Sequence, residues 1–392
     1  MNSLKQIIRD SSKEIHSLVV GFRRHFHENP ELSFSEFETA NYIRSVLAKY
    51  DIAIDESFGD NTVIGIINAE SIEKTIALRA DIDALPLIEK TDCEYSSKRP
   101  GIMHACGHDA HTASLLGTAI ILQKIRSEIP GRIILVFQPA EEKIPGGAKL
   151  LIEKGLLKKY KVESIIGQHV LPEMPTGNFC FAPGYLMAAT DELYIKFEGT
   201  GGHAAIPSKR SDTVLAVVEF IHRVYEMQKQ LTSEFPFIVA FGRLIADGVL
   251  NVIPSLSSAD GTMRTFDESL RNEIKQNLQE IASRTAKEFK CTYDLEIRQG
   301  YPSVYNDPKL TELILSAAKE YLPAERIEKM ELRMTAEDFA YYGKEIPAVF
   351  YRMGISGNGK GNIGLHNSRF DIDEDALVHS TGLMAWFALK LF

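Results

Sequence analysis

The segment at residues 103–112 concentrates the side chains best suited to chemistry. It contains a thiol and three imidazoles and reads Met-His-Ala-Cys-Gly-His-Asp-Ala-His-Thr. Cys106 and His108 lie two residues apart around Gly107. This spacing lets both side chains converge on one point from a loop, but not from one face of a helix. Converging thiolate and imidazole groups are typical metal ligands, so the segment indicates a metal site, with a buried thiol beside hydrogen-bonded histidines as the alternative.

Further acids and histidines follow the predicted strands over 75–80, 132–138, 164–168 and 347–353. In chain order they are Asp81, Asp83, Glu141, Glu142, His169 and His366. In open parallel sheets, ligands bind at the carboxyl ends of the strands. A solvated charge or a turn residue would explain any one of these positions, but their coincidence at one edge of a sheet favours a shared site.

Glu141 and Glu142 are adjacent acids in a turn that leaves a predicted strand. In a turn, neighbouring side chains need not point to opposite faces, so one carboxylate can bind a metal while the other holds a proton. The flanking segments are largely apolar and contain turn-forming proline and glycine, with Phe-Gln-Pro-Ala before the pair and Ile-Pro-Gly-Gly shortly after it. Ionised carboxylates are rarely placed in such a setting without a cation.

The elements that must position these side chains follow from the hydrophobic pattern. Helices come first, and one is predicted to open at Ser33 with Glu36 at capping-box spacing. Strands then alternate with helices up to about residue 183 and again after residue 301, which indicates a mixed, largely parallel sheet flanked by helices. Between these parts, a βαββαβ order is typical of a split-βαβ, ferredoxin-like sandwich. We therefore expect an α/β catalytic domain over residues 1–186 and 300–392, interrupted by a smaller α+β domain over residues 187–299.

The amino-acid composition indicates which kinds of binding partner are expected. The 392 residues are 44% hydrophobic and 25% charged, with a formal net charge of −9, which is typical of a globular enzyme with small-molecule substrates and argues against nucleic-acid or anionic-membrane partners. Residues 1–9 lack the apolar core of a signal peptide, and no run reaches the roughly 20 apolar residues of a spanning helix, so a cytoplasmic location is predicted. The four cysteines show no framework spacing, so disulfides are not expected.

Nine motifs, spread in order over almost the whole chain, resemble the M20 metallopeptidase family. They are Arg-Ala-Asp-Ile-Asp-Ala-Leu-Pro (79–86), the segment at 103–112, Gln-Pro-Ala-Glu-Glu (138–142), Gly-Gln-His-Val (167–170), Gly-Gly-His-Ala-Ala-Ile-Pro (201–207), Asn-Val-Ile-Pro (251–254), Gly-Thr-Met-Arg-Thr (261–265), Ala-Glu-Asp-Phe (336–339) and Leu-His-Asn (365–367). The most similar branch contains hippurate hydrolase, N-acyl-amino-acid amidohydrolases and plant auxin-conjugate hydrolases. The resemblance implies a zinc-exopeptidase-like catalytic domain whose inserted domain serves as a lid and dimerises.

The resemblance also implies roles for individual residues. The family's metal ligands match Cys106, His108, Glu142, His169 and His366, which together would hold two divalent ions. Glu141 matches the general base, and Asp83 matches the aspartate that orients a ligand. His203, Asn251 and Arg264 match residues of the inserted domain that reach the substrate, with His203 commonly acting in the neighbouring subunit of a homodimer.

Several points stay open at this level. Many members of the wider superfamily have His-x-Asp where this chain has Asp81-Ile82-Asp83, so Asp81 is either a ligand or a structural acid. The thiolate and imidazoles favour zinc, whereas the carboxylates suit manganese, and cobalt or nickel would also be accommodated. His104 and His111 match no ligand and are expected to support ligands or the start of a helix. The acid pair Glu337-Asp338 would serve either as a helix cap or in the active site.

The predicted function is metal-dependent hydrolysis of N-acyl amino acids, in which Arg264 binds the carboxylate of the amino acid because its guanidinium is permanently charged and forked. A dipeptidase and an N-acetyl-diaminopimelate deacetylase are alternatives within the family. From other classes, a non-catalytic metal or amino-acid binding protein is disfavoured because binding needs no spare base at Glu141. A thiol-nucleophile enzyme built on Cys106 and His108 is disfavoured because the spacing and the carboxylates suit a metal better.

Overall fold

The computed structural model describes residues 2–71 and 73–392, so Met1 and Ile72 lie outside the described residues. The chain forms two compact units. The first comprises Met1–Leu186, Val304–Glu331 and Asp338–Phe392, and the second comprises Met187–Ser303 and Leu332–Glu337. The predicted boundaries lie after residues 186 and 299. In the structure the chain returns to the first unit at Val304, and a short later segment again belongs to the second unit.

The elements are numbered along the chain. The helices are α1 (Asn2–Glu14), α2 (His16–Glu28), α3 (Phe37–Lys49), α4 (His108–Lys124), α5 (Gly147–Glu153), α6 (Leu156–Tyr160), α7 (Thr213–Gln230), α8 (Glu268–Phe289), α9 (Pro308–Tyr321), α10 (Ala340–Glu345) and α11 (Ala376–Lys390). The strands are β1 (Ala53–Asp55), β2 (Val63–Ile67), β3 (Thr75–Asp81), β4 (Arg132–Gln138), β5 (Val162–Pro175), β6 (Phe179–Phe181), β7 (Gly184–Met187), β8 (Ala189–Glu198), β9 (Gly202–His203), β10 (Ile238–Ile245), β11 (Val252–Ile253), β12 (Leu256–Thr265), β13 (Thr292–Gln299), β14 (Val304–Asn306), β15 (Ile327–Lys329) and β16 (Ala348–Ser356).

The first unit is built on an eight-stranded mixed sheet with the order β1-β2-β4-β3-β5-β16-β6-β15. Its centre is parallel, because β3 pairs in parallel with both β4 and β5, and β5 pairs in parallel with β16. Every residue of β3 is buried, as expected of a central strand that is covered on both faces. Helix α4 is buried from His108 to Leu122 and packs against α2 and α11. The predicted α/β class, with a largely parallel sheet flanked by helices, is confirmed.

The second unit is a four-stranded antiparallel sheet with the order β10-β12-β8-β13, packed against α7 and α8. Both helices begin with an aspartate cap: Asp212 accepts a hydrogen bond from the Leu215 N–H, and Asp267 accepts one from the Leu270 N–H. The apolar faces of the helices and the sheet form one core around Phe197, Phe220 and Leu278 among others. This strand order is that of the predicted split-βαβ sandwich.

A buried ion cluster in the first unit fixes the start of α4. Asp109, the second residue of α4, accepts hydrogen bonds of 2.8 Å from Arg23 Nε and from His27 Nδ1 on α2. His27 also contacts Glu89 through Nε2 at 3.1 Å. Burial and Arg23 would lower the pKa of His27, but the hydrogen bonds to Asp109 and Glu89 raise it to about 9. The residues that precede and open α4 are therefore held by charged contacts from another helix.

Among the described residues, no helix combines the length and the apolar character needed to cross a membrane.

Candidate metal centre

The candidate site lies where β3, β4 and β5 meet the beginning of α4. Cys106 and His108 flank Gly107, which has a left-handed φ of +83°. A Cβ atom at Gly107 would lie 2.5 Å from the Val170 side chain, so a glycine is required on two grounds. The tight turn at Gly107 lets the thiol and the imidazole point to one place, as the spacing predicts.

The five side chains that the resemblance matches to metal ligands come together in this structure. They form overlapping groups whose donor atoms lie within 4.8 Å of one another: Cys106, His108 and His169; Cys106, Glu142 and His366; and His108, Glu141 and Glu142. Cys106 Sγ lies 3.5 Å from His169 Nε2, and His366 Nε2 lies 3.2 Å from Glu142 Oε1. The His366 N–H donates to Ala105 O, which ties the last of these side chains to the same segment.

The positions of the donor atoms are better suited to binding a cation than to hydrogen bonding with one another. His108 Nε2 is buried and has no hydrogen-bond partner among the described residues; the nearest carboxylate oxygens include Glu142 Oε1 at 3.9 Å, which itself lies 3.2 Å from His366 Nε2. A buried imidazole nitrogen without a partner is costly unless another group binds it, and a cation between it and the carboxylate would do so. A thiolate, three imidazoles and a carboxylate form a ligand set suited to divalent zinc or manganese.

The charges at the site also favour a cation. Burial and the nearby carboxylate of Glu142 raise the pKa of the Cys106 thiol well above its ordinary value. Burial alone would lower the pKa of His108, but the carboxylates of Asp81 and Asp83 outweigh it and raise that pKa to about 10. A divalent ion binds the deprotonated forms of both ligands, so its binding would release protons.

Asp83 fixes the orientation of His108. His108 Nδ1 lies 2.9 Å from Asp83 O and 3.2 Å from Asp83 Oδ1, so this nitrogen donates and Nε2 is left facing the other ligands. Asp83 Oδ2 accepts hydrogen bonds from Ser33 Oγ (2.6 Å) and from the Glu142 N–H (2.9 Å). One carboxylate thus connects one imidazole to the backbone of the neighbouring acid, as expected of a residue that supports a metal ligand.

Ser33 and Glu36 support the candidate site through hydrogen bonds, whereas their spacing predicted a helix cap. The predicted capping box is wrong: α3 begins at Phe37, and Glu36 makes no side-chain capping hydrogen bond. Ser33 instead binds Asp83, and Glu36 Oε1 accepts a hydrogen bond of 2.7 Å from the Ala140 N–H. Burial and the nearby Asp83 raise the pKa of Glu36 to about 7. Both side chains therefore hold the turn that carries the two acids.

Three other expectations also change. Of the two alternatives for Glu337 and Asp338, the cap on the following helix does not form, because α10 begins at Ala340; Asp338 accepts hydrogen bonds from Gln138 and from the Ala148 N–H. His169 lies within β5, which continues to Pro175 because it pairs with β16 beyond His169. His104 is buried, and neither of its ring nitrogens has a hydrogen-bond partner among the described residues.

His203, Asn251 and Arg264 belong to the second unit. Strands β9 and β11 pair so that His203 faces Val252, and Asn251 O accepts the Ala204 N–H. The His203 side chain is exposed, and its Nδ1 accepts a hydrogen bond of 3.1 Å from the Ala205 N–H. Arg264 lies on β12 and is half-buried, and its guanidinium makes no hydrogen bond or ion pair among the described residues.

Comparison with known proteins identifies relatives over nearly the whole chain. The family model described as Peptidase family M20/M25/M40 matches residues 77–390. The N-acetyl-L-cysteine deacetylase of Bacillus subtilis (strain 168) is 36% identical, over 95% of this chain and 88% of its own. Thermostable carboxypeptidase 2 of Saccharolobus solfataricus is 34% identical, over 99% of this chain and 98% of its own. Among solved structures, the YXEP protein of Bacillus subtilis, described as a dinuclear metal binding peptidase from the M20 family, has a TM-score of 0.85 and 33% identity over 97% of this chain and 99% of its own.

Proposed function

This chain belongs to the M20/M25/M40 peptidase family and is a metal-dependent amide hydrolase, and on that premise we propose that it cleaves the amide bond of N-acyl amino acids. The observation that carries the proposal is the pair of adjacent acids. Glu142, which is half-buried, shares a donor group with Cys106 and His366, and the buried carboxylate of Glu141 lies at the edge of the same cluster, 3.9 Å from His108 Nε2. A protein that only bound metal would have no use for the second acid.

The proposed ligands of two divalent ions, zinc or manganese, with cobalt or nickel also suitable, are Cys106, His108, Glu142, His169 and His366. When bound, the ions lower the pKa of water and polarise the acyl carbonyl. Glu141 takes a proton from the attacking water and returns it to the leaving amine. Asp83 keeps His108 in the required orientation.

The surroundings of Cys106 oppose the thiol-nucleophile alternative. A nucleophilic cysteine needs a lowered pKa, yet burial and adjacent carboxylates raise the pKa of this thiol. The nearby carboxylates of Glu142, Glu141 and Asp81 all raise this pKa further. Cys106 is therefore better suited to bind a metal than to attack a carbonyl.

His203 is proposed to stabilise the oxyanion of the reacting carbonyl. Because its Nδ1 accepts the Ala205 N–H, the neutral ring carries its proton on Nε2, which is then available as a donor. A donor of this kind typically contributes about 3 to 4 kcal/mol to transition-state stabilisation.

We also propose that the protein is a homodimer formed through the second unit. Strand β10 is an edge of the four-stranded sheet, and Leu244 on it is exposed, as are Leu250 and Leu256 nearby in the chain. Exposed apolar side chains beside an unpaired strand edge favour association with a second copy. Light scattering tests this proposal, and a monomer in solution would rule it out.

Arg264 is proposed to bind the α-carboxylate of the substrate, with Asn251 as a neutral helper. Burial lowers the pKa of Arg264, although Asp191 and Glu192 oppose this, and no carboxylate among the described residues pairs with its guanidinium. A half-buried cation without an ion pair is suited to an anionic ligand.

Arg264→Ala should therefore abolish the preference for substrates that carry this carboxylate. We expect the wild type to cleave N-acetyl- or N-benzoyl-amino acids at least about 30-fold better, in kcat/KM, than the corresponding amides, because an unpaired desolvated charge costs about 2 kcal/mol or more. Arg243→Ala, which removes an exposed arginine on neighbouring β10, is the control and should keep the preference. Equal cleavage of acids and amides by the wild type would contradict the assignment. Faster cleavage of free dipeptides than of N-acyl amino acids would favour the dipeptidase alternative.

A further inference from the structure

A second cluster beside the candidate centre has the composition of a metal site. Asp81, His108 and His111 are buried, and each has a donor atom within 4.8 Å of the other two. Asp81 ends β3, and His111 lies in the first turn of α4. The question is whether Asp81 and His111 bind a metal or serve another purpose.

The hydrogen bonds of His111 leave no nitrogen available for a metal. Its Nε2 accepts a hydrogen bond of 2.9 Å from the Val170 N–H, so the lone pair of that nitrogen is already used. The neutral ring therefore carries its proton on Nδ1, which donates to Asp81 Oδ1 at 2.6 Å. Both ring nitrogens are satisfied by protein groups.

Asp81 is likewise engaged by side chains. Its Oδ1 accepts from His111, and its Oδ2 accepts from an Arg79 guanidinium nitrogen at 2.6 Å. Arg79 also donates to Gln138 Oε1 at 3.0 Å and to Asp338 Oδ1 at 2.8 Å. The negative charge of Asp81 is thus balanced by a buried arginine, and no cation is needed for it.

The hydrogen-bonded group of Arg79, Asp81 and His111 is bonded at both ends to residues close in sequence to the candidate centre. Val170 directly follows His169, and His169 Nδ1 donates to Val170 O at 2.9 Å, which directs His169 Nε2 toward Cys106. At the other end, Gln138 closes β4 three residues before Glu141. We propose that Arg79, Asp81 and His111 form a metal-free positioning relay that holds His169 in place as a ligand. This inference rests on the proposed metal centre.

The substitutions His111→Gln and His111→Phe separate positioning from ligation. A glutamine amide offers one donor and one acceptor with nearly the spacing of the two imidazole nitrogens, so it can serve both Asp81 and the Val170 N–H, whereas phenylalanine serves neither. Loss of a residue that supports a ligand typically weakens metal affinity 10- to 100-fold. We expect His111→Phe to show this loss and His111→Gln to recover most of it, while both bind the same number of ions as the wild type at saturating metal.

The measurements are metal per chain by mass spectrometry and affinity for Zn²⁺ by competition with a chelating dye. Ser114→Ala, which removes a buried hydrogen bond to Ser380 elsewhere on α4, controls for general loosening of the helix and should leave the affinity unchanged. Fewer ions bound by His111→Gln at saturation would identify His111 as a ligand and overturn the relay, and this variant decides the matter even if His111→Phe does not fold. Wild-type affinity in a folded His111→Phe would also overturn it. A wild type that binds no divalent metal would instead refute the proposed centre.

Discussion

Glu141→Gln is expected to lower kcat about 10²- to 10⁴-fold while the protein keeps its metal, because a glutamine amide cannot accept the proton of the attacking water. Glu142→Gln is expected to lose metal and activity together, because Glu142 shares donor groups with Cys106, His366 and His108. The two substitutions are chemically identical and one residue apart. Any difference between them therefore reports the different surroundings of the two carboxylates.

Turnover and metal content should be measured on the same preparations, with circular dichroism to verify folding. Glu153→Gln, an exposed acid on α5, is the matched control and should change neither quantity. If both variants at 141 and 142 kept metal and activity, the assignment of base and ligand would be wrong. Loss of metal from Glu141→Gln alone would reverse the two roles.

Cys106→Ala is expected to reduce metal binding strongly, and activity with it. Cys106 belongs to two of the donor groups, one with His108 and His169 and the other with Glu142 and His366, so its removal weakens both. His366→Ala should affect only the second group and retain part of the metal. Thiolate ligation is detected directly by the charge-transfer absorption of the Co²⁺-substituted protein, which should be present in the wild type and absent from Cys106→Ala.

Cys180→Ala is the matched control for this experiment. Cys180 is also buried, on β6, but it belongs to none of the donor groups found among the described residues. The Cys180→Ala protein should therefore bind metal and show the Co²⁺ absorption as the wild type does. Unchanged metal content in Cys106→Ala would contradict the proposed ligand set.

Some regular elements and the clustering of the candidate ligands could be predicted from the sequence, because local patterns record them. Strand β4 has the predicted bounds, 132–138, because a continuous apolar run is a strong local signal. The candidate ligands were selected chiefly by the matched motifs, and Glu142 also by its position after the strand over 132–138. The order of the sheet, with β16 between β5 and β6, depends on pairing between distant segments, which no local pattern records.

The supporting residues were not predictable for the same reason. A serine followed three residues later by a glutamate has the capping-box pattern whether the side chains bind their own helix or, as for Ser33 and Glu36, residues that lie 50 and 104 positions further along the chain. Asp338 and Arg79 are separated by 259 positions, so nothing near either residue indicates their ion pair. The partly buried and unpaired state of Arg264 likewise depends on the folded second unit.

The most direct test of the central claim is a metal titration of the metal-free protein, followed by hydrolysis of an N-acetyl amino acid. Chelation should reduce hydrolysis to the background rate. Added Zn²⁺, Mn²⁺ or Co²⁺ should restore it as the ions bind, up to two per chain, with acetate and the free amino acid released in equal amounts. Full hydrolysis of the N-acetyl amino acid by protein that mass spectrometry shows to be free of metal would contradict the account.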